Sequence, residues 1–223
     1  MIANVMMAKK RDRTRDKLLI AVQELLLEKP VANLSIKDIA HQAEMVHGSF
    51  YNYFESVHEV IQGVAELFLR THACLADKIT QGIDDKALVF ALKTRQTLFL
   101  IGQEPKYGHL LFDAGLPVDQ FVMGLRLGLR IDIEQGIKQG RFVCADLELT
   151  LSLLAGGILG LALDLHRHIL PVERIEAATA KLLEQLGVDN KEAQQLAHYP
   201  TQFITPVTLP LSNAKLTEFI RGC

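Results

Sequence analysis

The sequence has no apolar run that stays free of polar interruption long enough to cross a bilayer. The longest, Leu147 to Leu163, is broken by Glu148 and Thr150, contains three glycines and stops at Asp164. No apolar stretch follows the basic N-terminus, as a secretory signal requires, so the expected location is the cytoplasm, with no membrane partner. Cysteine is scarce. Cys74, Cys144 and Cys223 are odd in number and widely separated, which suggests neither a disulfide framework nor a zinc site. Also missing are a glycine-rich phosphate loop, a nucleophile elbow and a paired acid/base motif, so the chain is expected to be no enzyme, with no catalytic residue and no cofactor. Asp164, His166 and His168 do not make a metal site, because positions two apart on a helix point in different directions. There is no strand pattern, no repeat and no low-complexity segment.

What is present is a 223-residue chain, 49% hydrophobic and 22% charged, long enough to bury a large core in one or two domains. The net charge of −2 argues weakly against nucleic acid, but its distribution is uneven. Residues 1–56 hold eight Lys/Arg against seven Asp/Glu, and the rest hold sixteen against nineteen. Six of the eight bases are Lys9, Lys10, Arg11, Arg13, Arg15 and Lys17. Alone, such a run reads as a solvated terminus. Ahead of a nucleic-acid-reading motif it becomes an arm for phosphates or a minor groove.

Residues 34–54 supply such a motif. Ser35 is a helix N-cap, and Ile36, Ile39, Ala40 and Ala43 follow on one face. Residues 44–46 break the pattern, and a second short helix is predicted over 47–53. There Phe50 and Phe54 face inward, while His47, Ser49, Tyr51, Asn52 and Tyr53 present hydroxyls, an amide and an imidazole. The run Gly48-Ser49-Phe50-Tyr51-Asn52-Tyr53-Phe54 resembles the helix-turn-helix of TetR-type transcriptional repressors, and the likeness covers about residues 10–65. Two positions depart from it. Glu44 stands where the family usually has a turn glycine, and Val57 where it often has a phosphate-contacting lysine.

The resemblance implies an all-α fold: a three-helix DNA-binding head followed by a larger helical ligand-binding and dimerisation domain. The boundaries drawn are 1–56 for the head with its basic arm, 57–199 for the body and 200–223 for the tail. The implied partners are a palindromic operator in double-stranded DNA, a small apolar or amphipathic effector that releases it, and a second copy of the chain. Carried over by position, His47 and Asn52 meet bases or phosphates, and Tyr51 and Tyr53 face phosphates. Lys37 reaches the DNA backbone, the N–H groups of Gly48 and Ser49 serve a helix N-terminus, and Lys10, Arg11 and Arg13 form the arm. The rival reading is a helical ligand-binding protein or small enzyme whose helix-turn-helix no longer binds DNA.

Apolar spacing predicts further helices at 14–28, 56–81, 85–101, 105–113, 118–138, 146–169, 171–187, 190–198 and 212–221, with residues 1–8 unstructured. Ser56 is a cap, with Glu59 completing a capping box, and Asp146 is another. In 151–165, apolar nearly all round, glycine costs about 1 kcal/mol per position, which close helix packing would offset. A core helix shows the same pattern. The resemblance instead implies a dimer seam built from Leu153, Gly157, Gly160, Leu161, Ile175, Ala178 and Leu182. Phe68, His72, Phe90, Tyr107, Phe112 and Phe121 are individually core residues and together the lining expected of an effector cavity. Arg126 is either an anion partner there or one end of a salt bridge.

Overall fold

The computed structural model describes residues 2–204 and 209–221, with side chains described for 11–204 and 209–219. Every regular element among them is helical: α1 Ile2–Leu26, α2 Ile36–Gln42, α3 Val57–Ile79, α4 Lys86–Gln103, α5 Pro105–Phe112, α6 Val118–Lys138, α7 Leu147–His166, α8 Ile175–Gln185, α9 Asn190–Ala197 and α10 Asn213–Arg221. Most bounds follow from local chemistry. The Ser35 hydroxyl accepts from Asp38 N–H and the Asp38 carboxylate accepts from Ser35 N–H, a reciprocal cap that starts α2. Ser56 accepts from Glu59 N–H, but Glu59 reaches back to Glu55 N–H, one residue before the expected partner. Asp85, Asp146 and Asp189 cap α4, α7 and α9.

Three expectations are corrected. α1 begins at Ile2, not Thr14, because residues 2–26 contain no glycine or proline to stop a run rich in Ala, Met, Lys and Arg. The segment His47–Asn52 is a 3-10 helix rather than an α-helix. Finally, α7 is long and apolar enough by composition to cross a membrane, since its glycines and Thr150 do not outweigh its leucines.

The chain forms two compact units, with α3 continuous from one into the other. Unit one comprises residues 1–71, 109–118 and 207–223. Leu18, Leu19, Val22, Leu25 and Leu26 of α1 are buried with Ile39, Ala40, Phe50, Phe54, Val60, Ile61 and Val64. Burying each such side chain contributes on the order of 2 kcal/mol. Residues 109–118 join through Val31 N–H to the Ala114 carbonyl at 2.8 Å. The tail, expected to be extended to Ser212, packs on α1. The Asp16 carboxylate accepts from Asn213 N–H at 3.1 Å and Ala214 N–H at 3.0 Å, and so caps α10 from another helix.

Unit two comprises residues 72–108 and 119–206, and α4 is its axis. Twelve of the 18 residues of α4 are buried, where α7, α8 and α9 pack on it. Lys93 bridges Asp77 at 2.9 Å and Asp132 at 3.0 Å, and Arg141 bridges Asp85 at 2.8 Å and Glu192 at 2.7 Å. The segment after α9 is clamped to α4. Arg95 donates to the Tyr199 carbonyl at 2.7 Å, Gln96 pairs with both backbone groups of Ile204, and Phe99 stacks on Phe203 at 4.3 Å.

Candidate functional site

In unit one the turn 43–46 sets the angle between α2 and the 3-10 segment. Met45 N–H closes on the Ala40 carbonyl at 2.8 Å, and Glu44 takes a left-handed φ of 55°. A non-glycine residue there costs roughly 1–2 kcal/mol, which the surrounding contacts must offset. Phe50 and Phe54, fully buried, pin the following segment from below with their rings 5.9 Å apart. The other edge is left outward. His47, Gly48, Tyr51 and Asn52 are exposed, Ser49 and Tyr53 are half-buried, and the His47 and Tyr51 rings meet edge-on at 5.8 Å. Lys37 is exposed on α2, the helix packed against this segment. No carboxylate occurs from Met45 to Phe54, so an anion approaching that edge meets N–H and O–H groups without repulsion from this segment.

Arg11 and Arg13 are exposed on α1, and the side chain of Lys10 lies outside the described residues. Arg15, counted with the arm in sequence, is instead half-buried with its guanidinium 4.9 Å over the Phe54 ring. Asp38 is held down to a pKa of about 2, chiefly by the Lys29 ammonium at 2.9 Å and by the Ser35 hydroxyl.

The aromatic residues expected to line a cavity are divided between the units. Phe68, buried, and Phe112, half-buried, belong to unit one. His72, Phe90, Tyr107 and Phe121 are all buried in unit two. There the His72 imidazole meets the Phe121 ring edge-on at 5.1 Å, and Phe90 meets Phe142 at 6.1 Å. Burial pushes the His72 pKa down to about 4 and raises that of the Tyr107 hydroxyl. Arg126 takes the second of its two readings: it pairs with Glu148 of α7 at 2.5 Å and donates to the Ser152 hydroxyl at 2.7 Å. Glu148 also binds Arg130, and the two guanidinium groups lower its pKa.

The seam residues divide as well. Leu153 is 59% exposed, and a Cβ added at Gly160 would meet nothing within 4 Å. Leu161 and Ala178 are half-buried. Ile175 and Leu182, in contrast, are 3% and 4% exposed within the single chain, so they have no surface left for a partner. That corrects their assignment, and the reason is packing inside unit two, where Leu182 also lies 3.4 Å from a Cβ built at Gly157. Sequence reasoning missed the second apolar line of α6. Met123, Leu127 and Ile131 are 64%, 62% and 50% exposed at four-residue spacing, a signal hidden by the stronger line Phe121, Leu129 and Ile133. It also missed Thr97, the hydrogen-bond partner of His72.

Comparison with known proteins agrees along most of the chain. A family profile described as "Tetracyclin repressor-like, C-terminal domain" matches residues 85–199. The structure is similar to that of RolR in complex with resorcinol, with 28% identity over 89% of this chain and 100% of that one and a TM-score of 0.69. It is also similar to a TetR-family transcriptional regulator from Syntrophomonas wolfei, with 22% identity, 83% and 95% coverage and a TM-score of 0.62. A gamma-butyrolactone receptor, ArpA-like, shares the fold at 16% identity, 84% and 95% coverage and a TM-score of 0.58. No curated protein sequence matches the chain.

Proposed function

The chain belongs to the TetR family of transcriptional regulators, and from that premise we propose that its 3-10 segment His47–Asn52 is the surface that reads operator DNA. Regulators of this family bind operator DNA as homodimers and respond to small-molecule effectors. The observation that carries the proposal is the two-sided build of the segment. Phe50 and Phe54 are locked in the core, while His47, Tyr51 and Asn52 stand exposed with no acidic neighbour from 45 to 54. His47 and Asn52 address base edges or phosphates, Ser49, Tyr51 and Tyr53 address phosphates, and Lys37 with the Gly48 and Ser49 N–H groups adds backbone contacts. Arg11, Arg13 and Lys10 extend this by charge. Residues 1–56 carry this surface, and the effector and partner surfaces lie in 57–199.

The effector site is placed in unit two around His72, Phe90, Tyr107 and Phe121, with Arg126 committed to Glu148 instead of a ligand. RolR, a relative over nearly the whole chain, is described with resorcinol, which supports an aromatic effector of similar size. The partner surface is placed on α7 at Leu153, Gly160 and the half-buried Leu161, joined by exposed Leu149 and Leu163 and the α6 line of Met123, Leu127 and Ile131. An apolar face of this extent on one chain is what a two-fold neighbour covers, and it accounts for the bilayer-like composition of α7.

The test is linkage. α3 runs unbroken from unit one, which holds its residues 57–71, into unit two, which holds 72–79, so an effector that shifts it changes operator affinity. Reciprocity then requires operator to change effector affinity by the same factor. Titrating resorcinol, then a panel of small aromatics, with and without an operator selected from random DNA measures it. Equal affinities in both titrations would sink the coupling, and failure to select any DNA would sink the reading surface.

A further inference from the structure

His72 is buried, and its two ring nitrogens are not equivalent. Nε2 lies 3.0 Å from the Thr97 hydroxyl oxygen, and that hydroxyl lies 2.8 Å from the Lys93 carbonyl. A threonine has one O–H hydrogen, and a carbonyl can only accept. Thr97 therefore spends its hydrogen on Lys93 and must accept from His72. That puts the proton of the neutral ring on Nε2 and leaves Nδ1 as a bare lone pair. Among the described residues Nδ1 has no hydrogen-bond partner, although it is shielded from solvent. Protonation does not rescue it, because burial disfavours the imidazolium at neutral pH. A buried acceptor left unmet is destabilising, and such atoms call for a partner that the protein itself does not supply.

We propose that the effector carries a hydrogen-bond donor, a hydroxyl or an N–H group, which it gives to His72 Nδ1. This rests on the effector site assigned above and narrows it to a chemical class. A ring or chain bearing only ketone, ether or carboxylate oxygens offers the same atom nothing but repulsion between lone pairs. Thr97 is the positioning residue. It touches no effector, and it decides which nitrogen of His72 faces the effector as an acceptor. Phe121, edge-on to the imidazole, supplies the apolar wall against which such a compound packs.

The test uses the full-length protein and matched probes: phenol with anisole, and 2-naphthol with 2-methoxynaphthalene. The two members of each pair share their aromatic surface, and only the first can donate. Binding is measured by calorimetry on the wild type, on His72→Phe and on Thr97→Val. The naphthol is expected to bind about tenfold more tightly than its ether, the factor that one net hydrogen bond supplies. His72→Phe should erase that preference. Thr97→Val, nearly isosteric and leaving His72 in place, should free the ring to take either tautomer and shrink it. As a check independent of the phenylalanine variant, the 15N resonance of His72 Nδ1 in the free protein should be that of an unprotonated nitrogen and should move on adding 2-naphthol. Equal binding of both members to wild type and variants, or a proton on Nδ1, would overturn the donor requirement while leaving the effector site standing. Failure of all four probes to bind would overturn the aromatic effector site as well.

Discussion

Gln23 holds Leu211 by both ends of its backbone, 188 residues away in sequence. The Gln23 amide donates to the Leu211 carbonyl at 2.9 Å and its oxygen accepts from Leu211 N–H at 2.8 Å, in a buried site. Gln23→Ala strands both backbone groups, so a loss of about 1–3 kcal/mol is expected in urea unfolding. A loss below about 0.5 kcal/mol would mean that water replaces the amide.

Glu44 at φ 55° stores strain that glycine does not feel. Glu44→Gly removes roughly 1–2 kcal/mol of left-handed penalty and adds about 0.5–1 kcal/mol of unfolded-state entropy. The net expectation is a gain of about 0.5–1 kcal/mol, read as a higher Tm. A lower Tm would show that the Glu44 side chain contributes more than its backbone costs.

His72 gives the stability curve a slope on the acid side. Its folded pKa of about 4 lies below the ordinary 6.5, so between those values the unfolded chain takes up a proton that the folded chain refuses. This contribution is whole above pH 6.5 and falls as pH drops towards 4, by up to about 3 kcal/mol. The wild type should therefore lose stability relative to His72→Phe on acidification across that window, read from their denaturation midpoints. Parallel curves would refute the assignment. Asp38, held at about 2 by Lys29 and Ser35, acts lower, its contribution being lost as pH falls from 3.8 through 2.

Gly157 and Gly160 sit one turn apart on α7 and face different neighbours. A side chain at Gly157 runs into Leu182 of the same chain, so Gly157→Leu should cost about 1–3 kcal/mol of monomer stability. One at Gly160 meets nothing within the chain. Gly160→Leu should leave helicity intact and weaken self-association in sedimentation. A dimer unchanged by Gly160→Leu would move the seam off this face.

The basic arm predicts a salt effect. Deleting residues 1–13 removes Lys10, Arg11 and Arg13, and should weaken binding to all DNA sequences alike. It should also flatten the salt dependence of affinity by about one unit of slope for each lost contact. An unaltered slope would take the arm out of the interface.

Much of this architecture was legible in the sequence because its signals are local. Caps at Ser35, Ser56 and Asp146 and the apolar spacing of each helix fixed most bounds within a few residues. The inward turn of Phe50 and Phe54 was equally plain. What escaped depends on partners far along the chain. Periodicity shows that Ile175 and Leu182 belong to an apolar face, but not that α8 spends this face inside its own unit. Nothing near Gln23 or Asp16 announces that residues 211–214 will satisfy them. The 3-10 geometry of 47–52 was also hidden, since its side-chain pattern serves either helix type.

The docking of the tail on α1 bears on how the molecule is made. Domains generally fold as units during synthesis, starting from the N-terminus. Here α1 holds Asp16 and Gln23, whose distant partners at residues 211–214 are translated 188 to 198 residues later. Until those emerge, Gln23 has only the Leu19 carbonyl one turn behind it. A nascent chain halted before residue 209 therefore carries α1 without these partners, and a unit one that has not yet closed.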